Sequence, residues 1–257
     1  MTELVVNKLG YVRGNKQILD EVSFSIGKGE LVVLLGANGA GKSSVLKCAL
    51  EPKARVKGSV YLNGQPLDTL SPANRARLVA YLPQSRPVAW PVKVFDVVSL
   101  GRYAYGVRLG QLKGRDLALV EAAIVDCQLQ HLRDRRIDTL SGGEAARVHC
   151  ARAFAANADV LLADEPTASL DPKHQLGIMK LIRDYVDGGR GALVVAHEAN
   201  LAARFADRLI WIRNGRIVAD GSVDETMTEN MVAEVYGVSS EISRIRGYHN
   251  VSIVDAL

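Results

Sequence analysis

The sequence predicts an α/β fold: a mostly parallel core sheet flanked by helices, with an antiparallel β subdomain and an α-helical subdomain. Three observations carry this. Leu31 to Leu35, Val160 to Ala163 and Ala192 to Ala196 are short unbroken apolar runs, each followed by polar or glycine-rich residues and a helix-compatible stretch. Runs without alternation suit strands covered on both faces, as in parallel sheets between helices. The opening differs: Leu4 to Val12, Gln17 to Ile26 and Ser59 to Leu62 are bounded by turn residues at Arg13-Gly14-Asn15 and Asn63-Gly64, which predicts a small antiparallel sheet. From about Pro87 to Ala155 the strand signal fades, and Leu117, Val120, Ile124 and Cys127 recur at helical spacing.

The expected organisation is one 257-residue domain. Its core and antiparallel β subdomain occupy 1–86 and 156–236, the helical subdomain about 87–155, and a tail of weak periodicity 237–257. With 48% hydrophobic and 23% charged residues, disorder and low-complexity character are excluded. Thirty-two basic against 28 acidic residues give a net charge of +4. That mild excess fits anionic ligands, a membrane surface or an ordinary solvated exterior, and no nucleic-acid partner is expected. Cys48, Cys127 and Cys150 are far apart and form no CxxC pair, which suits a reducing cytosol. The first residues lack the apolar core of a signal peptide, and no stretch approaches the roughly 20 apolar residues that cross a bilayer. If the chain takes part in transport, other chains supply the pore.

Ligands of open parallel sheets bind beyond the carboxyl ends of the strands. All three apolar runs end in residues with phosphate or metal chemistry. After the first, Gly36-Ala37-Asn38-Gly39-Ala40-Gly41-Lys42-Ser43 matches GxxxxGK[ST], with Ser44 next and a helix expected to start near Gly41. Such a loop wraps backbone N–H groups around a phosphate chain and adds the favourable charge of a helix N-terminus. Lys42 would reach the β- and γ-phosphates, and the Ser43 hydroxyl would bind Mg²⁺. The competing reading, a chance glycine-rich turn, lacks a reason for the strand and helix on either side. The fold is therefore expected to be that of a P-loop NTPase.

The second run ends in Asp164 and Glu165. Asp164 would hold Mg²⁺ directly or through water, and Glu165 would orient and polarise a water for attack on the γ-phosphate. Taken alone, a solvated acidic turn helped by Pro166 would serve as well. In Leu140-Ser141-Gly142-Gly143-Glu144, Ser141 and Glu144 form a capping box that starts a helix running to about Phe154. Each glycine in that first turn costs roughly 1 kcal/mol against alanine. An anion approaching the exposed N–H groups would explain them, and both readings can hold together.

This set resembles the nucleotide-binding subunit of ABC transporters over nearly the whole chain, with Leu140 to Glu144 in the place of the ABC signature. The resemblance implies a homodimer in which each ATP lies between the phosphate loop of one copy and Ser141, Gly142, Gly143 and Glu144 of the other. It implies that Tyr11 stacks on adenine and that Gln84, after Ala80-Tyr81-Leu82-Pro83, is the Q-loop glutamine, near the metal and the catalytic centre. It further implies that Asp171 of Ser169-Leu170-Asp171 is the D-loop aspartate and that His197 is the switch histidine facing the γ-phosphate. His131, His149, His174 and His249 match no site pattern and are expected on the surface or in packing. Ala145 and Ala146 stand where the family often has two glutamines, which puts fine coupling, rather than hydrolysis, in question.

The segment Val94-Phe95-Asp96-Val97-Val98-Ser99-Leu100-Gly101-Arg102 is similar to ATPases of iron–siderophore, haem and vitamin B12 importers. A generic amphipathic helix would give the same valine stripe; the Gly-Arg ending favours the importer. The resemblance implies that apolar residues around Trp90, Val92 and Phe95 are exposed to receive a helix of a membrane subunit. The expected assembly has two ATPase subunits, two transmembrane permease subunits and, indirectly, an extracytoplasmic solute-binding protein, at the cytoplasmic face of the membrane. A soluble ABC ATPase, for example in iron–sulfur cluster assembly, and an exporter subunit are the alternatives.

Overall fold

Alternation of apolar and polar residues builds the first hairpin, and two local irregularities keep its apolar side inward. The computed structural model describes residues 3–84 and 91–257. In chain order the elements begin β1 (Glu3–Arg13), β2 (Lys16–Gly27), β3 (Leu31–Leu35), α1 (Lys42–Leu50), β4 (Lys57–Leu62), β5 (Gln65–Pro66), α2 (Pro72–Leu78) and β6 (Val79–Leu82). They continue with α3 (Val94–Ser99), α4 (Gly114–Asp126), α5 (Gly142–Ala155), β7 (Val160–Asp164), α6 (Pro172–Asp187), β8 (Gly191–Val195) and α7 (Ala199–Phe205). The last are β9 (Arg208–Arg213), β10 (Arg216–Ser222), α8 (Val223–Thr226), α9 (Glu229–Tyr236), β11 (Val238–Ile245) and β12 (Tyr248–Ala256). The chain divides into two compact units, one of Met1–Thr69 with Gly191–Leu257 and the other of Leu70–Arg190.

In the first unit β2, β1, β4 and β5 form the expected antiparallel sheet. Lys8 and Glu21 have left-handed backbone (φ 48 and 53), and near them the register shifts. The shifts return Leu9 and Val22 to the buried face instead of their polar neighbours. Asn63-Gly64, both with positive φ, makes the tight turn from β4 to β5. In the same unit β3 runs parallel to both β8 and β9, and β9 pairs antiparallel with β10. Every residue of β3 and β8 is buried, as the unbroken apolar runs require.

The tail, for which no element is expected, forms the antiparallel hairpin β11–β12 around an Arg246-Gly247 turn. The reason lies in burial. Of its strand residues only Val251 is buried, while Ile245, Ile253 and Val254 are more than half exposed. β11 packs on α9 and β12 on α7, but so few of their residues are buried that the sequence carries only a weak period-2 signature.

In the second unit β6 and β7 pair in parallel, Val79 opposite Val160 through Leu82 opposite Ala163. Helices α3 and α4 both pack on α5, through Val94, Val97, Val98, Val120, Ile124 and Val148, all buried. The apolar residues expected on the surface are placed otherwise. Val92 and Phe95 are half-buried, because the Val92 carbonyl accepts from Ile137 N–H at 2.9 Å and the Arg133 guanidinium covers the Phe95 ring at 4.1 Å. Trp90 lies outside the described residues. Among the described residues from 91 to 105, Leu100 and Tyr103 are exposed, 42% and 74% accessible.

Candidate nucleotide site

The phosphate loop leaves β3 and enters α1 within the first unit. Gly36 starts it where only glycine fits: a Cβ there would lie 2.5 Å from the Ile212 carbonyl oxygen. Gly41, the N-cap of α1, has φ 106 and would bring a Cβ to 2.8 Å from Leu19. The loop is braced from outside by the β9–β10 turn, whose Gly215 N–H donates to the Ala40 carbonyl at 3.0 Å. Ala37 accepts from Ala40 N–H at 3.2 Å, closing the turn over Asn38-Gly39. Lys42 is 5% accessible, and its ammonium donates to the Gly36 and Ala37 carbonyls at 2.7 and 3.0 Å. The charge is held inside the loop it closes. Ser43 and Ser44 occupy the first turn of α1, where helix N–H groups and dipole favour an anion.

Two further residues belong to this unit. His197 follows β8 and is exposed; Ala196 N–H donates to the Leu34 carbonyl at 3.2 Å, so β8 and β3 end side by side and deliver His197 and Gly36 at the same sheet end. Tyr11 is half-buried in β1 and pairs with Leu19, the residue that lies against Gly41.

The second unit carries the carboxylates. Asp164 ends β7 and is 5% accessible, and Glu165 follows with φ 46. A left-handed backbone at a residue with a Cβ costs on the order of 1 kcal/mol, strain of the kind concentrated at reactive sites. Gln84, just past β6, donates through Nε2 to Glu165 Oε2 at 2.5 Å. The parallel pairing of β6 and β7 thus brings together two residues 81 positions apart. Within its own unit each of Ser43, with a hydroxyl, and Asp164, with a carboxylate, offers a hard oxygen donor of the kind that Mg²⁺ accepts.

The capping box is complete. Glu144 N–H donates to Ser141 Oγ at 3.3 Å, and Ser141 N–H donates to Glu144 Oε2 at 2.8 Å. The Ser141 backbone N–H and then its hydroxyl hold the Glu144 carboxyl below the usual range. Ser141 and Gly142 are exposed and Gly143 is buried. A Cβ on Gly143 would lie 2.0 Å from the His174 ring. That ring is fixed by Asp171, which caps α6 through His174 N–H at 3.0 Å and meets Nδ1 at 2.7 Å. The His174 backbone N–H, followed by its ring, lowers the Asp171 carboxyl. Asp171 is therefore a helix cap here, and His174, expected to be an ordinary surface or packing residue, packs on the glycine-tipped helix. The spacing of a histidine three residues after an N-cap aspartate signals the Asp171–His174 contact, while nothing local signals the glycine beneath the ring.

The model of the ABC transporter family matches residues 19–168 of this chain. A hemin import ATP-binding protein, HmuV of Bordetella avium strain 197N, is 39% identical over 248 residues, 93% of this chain and 94% of that protein. The iron(3+)-hydroxamate import ATP-binding protein FhuC of Bacillus subtilis is 35% identical over 243 residues, covering 94% and 90%. A solved nucleotide-free ATP-binding cassette from an ABC transporter superposes with a TM-score of 0.82 at 22% identity, over 92% of this chain and 99% of that one; this likeness concerns the fold.

Proposed function

Because the chain belongs to the ABC transporter family, as an ATP-binding subunit and ATPase, we propose that it drives an importer for iron–siderophore, haem or a related chelate. Its relatives are named for hemin and iron–hydroxamate import, which favours import over an exporter or a soluble machine. No helix among the described residues is long and apolar enough to cross a membrane. The subunit sits peripherally at the cytoplasmic face on two permease subunits, with a solute-binding protein feeding them from outside.

In the proposed cycle two copies meet head to tail. Tyr11 stacks on adenine, and residues Gly36 to Ser44 cradle the phosphates, with Lys42 at the β- and γ-positions. Ser43, Gln84 and Asp164 would hold Mg²⁺, which when bound would neutralise phosphate charge. Glu165 accepts a proton from the attacking water, Gln84 holds that carboxylate in place, and His197 donates to the γ-phosphate. Ser141, Gly142, Gly143 and Glu144 of the second copy close over the same phosphate, with Asp171 at the facing surface. Closure is driven by differential binding, since ATP bridges both copies and ADP lacks the group that does so. The observation that carries this reading is the capped helix start: Ser141 and Gly142 are exposed at the positive end of a 14-residue helix.

The test uses two variants. Lys42→Ala is expected to weaken nucleotide affinity by roughly 30-fold, about 2 kcal/mol for lost charged hydrogen bonds; unchanged affinity rejects the cradle. Glu165→Gln is expected to bind ATP normally and accumulate as a closed dimer. Hydrolysis at the parent rate would remove Glu165 from its role.

A further inference from the structure

The Gly101-Arg102 pair works inside the chain. Gly101 follows α3, and a Cβ there would lie 2.2 Å from the Arg152 carbonyl oxygen and 3.0 Å from the Ala155 side chain. Only glycine lets this backbone lie on the last turn of α5. Arg102 then turns inward and is 3% accessible. Its Nη1 donates to the Ala155 and Ala156 carbonyls at 3.0 and 2.9 Å, carbonyls that the end of α5 would otherwise leave without a helical partner. Its Nε donates to Asp116 in the first turn of α4 at 2.8 Å. The guanidinium lies 3.6 Å from the centre of the Tyr105 ring, and the Tyr105 hydroxyl donates to the Ala156 carbonyl at 3.2 Å. A cation at the C-terminal end of one helix and a carboxylate in the first turn of the next both complement the helix dipoles.

This anchored end belongs to the helix whose other end is Ser141-Gly142-Gly143. It also leads through Asn157, in left-handed backbone at φ 52, into β7 and its terminal Asp164. We infer that Arg102 is a positioning residue for ATP-driven closure: by holding the Ala155–Ala156 end of α5 it sets the axial position at which the glycine tip is presented to the partner copy's nucleotide. The inference rests on the proposed reading that the tip acts in trans. A planar fork shared between two carbonyls, a carboxylate and a ring face fixes the helix along and about its axis. A lysine would keep the charge and lose the fork.

The experiment compares Arg102→Met, Arg102→Lys and Tyr105→Phe in the full chain. For Arg102→Met, binding of a fluorescent ATP analogue to dilute monomer is expected to stay within about twofold of the parent. In the Glu165→Gln background, ATP-driven association of Arg102→Met weakens by roughly tenfold or more, the scale of a lost charged hydrogen bond. Without that background kcat falls while KM for ATP stays near the parent value. Lysine restores part of the loss, and Tyr105→Phe loses less in the same direction. A lowered Tm with parental association and parental kcat per folded molecule would make Arg102 a stability residue only and overturn the inference. If Arg102→Met does not fold, parental association in both other variants overturns it equally. Ser141→Arg runs in parallel. Association that survives Ser141→Arg defeats the trans reading itself, whereas loss there with none in the Arg102 and Tyr105 variants defeats only the role of Arg102.

Discussion

Replacing Gly143 by alanine tests whether the glycine-tipped helix is built against His174. The new methyl carbon would begin 2.0 Å from Cδ2 of the His174 ring and 2.4 Å from two further ring atoms. Carbon atoms settle near 3.5 Å, so ring or helix must give by about 1.5 Å. The ring is not free to swing, since Asp171 holds its Nδ1 at 2.7 Å. Overpacking of this kind costs about 1–3 kcal/mol, against a gain of at most about 1 kcal/mol for exchanging glycine for alanine in a helix. A start at 2.0 Å puts the overpacking at about 2–3 kcal/mol, so Gly143→Ala is expected to destabilise the chain by roughly 1–2 kcal/mol. In a His174→Ala background the obstacle is gone and the same change becomes neutral or stabilising by up to about 1 kcal/mol. Urea unfolding of the four proteins measures the cycle. An equal penalty in both backgrounds, or none in the parent, refutes the packing argument.

Ser141→Ala is expected to cost about 1 kcal/mol of stability by removing the cap of α5, read from the urea midpoint. Glu144 is held below its ordinary value of 4.5 in the folded chain. Its contribution is therefore full above that value and is lost as pH falls through the lower folded value, so Glu144→Gln should flatten this part of the stability–pH curve. Burial pushes the Cys48 thiol up to about 11 and that of Cys127 well above 9.0. Both are expected to resist iodoacetamide at pH 8 until the chain is unfolded; rapid modification of native protein contradicts this.

The features legible in the sequence were those whose cause is local. A strand buried on both faces needs every residue apolar, so β3, β7 and β8 declared themselves. The capping box needs only Ser141 and Glu144, three residues apart, and the phosphate loop is a continuous string. Contacts between distant segments left no such trace. Gln84 meets Glu165 only because β6 and β7 pair, and Arg102 reaches Ala155 and Ala156 only because Gly101 lets two backbones touch. That Gly-Arg ending resembled an importer motif in the sequence, while its work in packing needed the fold. His174 carries no trace of the packing, because a surface histidine looks the same in sequence whether or not a glycine lies beneath its ring. The hairpin of β11 and β12 leaves little trace because its contacts with α9 and α7 bury only Val251, and its turn, Arg246-Gly247, is a weak signal without alternating strands around it.

The central claim is that cradle and glycine tip act from different copies. It is tested most directly by mixing a Lys42→Ala chain with a Ser141→Arg chain, both carrying Glu165→Gln, and measuring ATP retained after gel filtration. Each chain alone should retain none. In the mixed pair one of the two sites combines an intact lysine with an intact serine, so the mixture is expected to hold ATP, up to one per pair. Retention no greater in the mixture than in either chain alone would contradict the account.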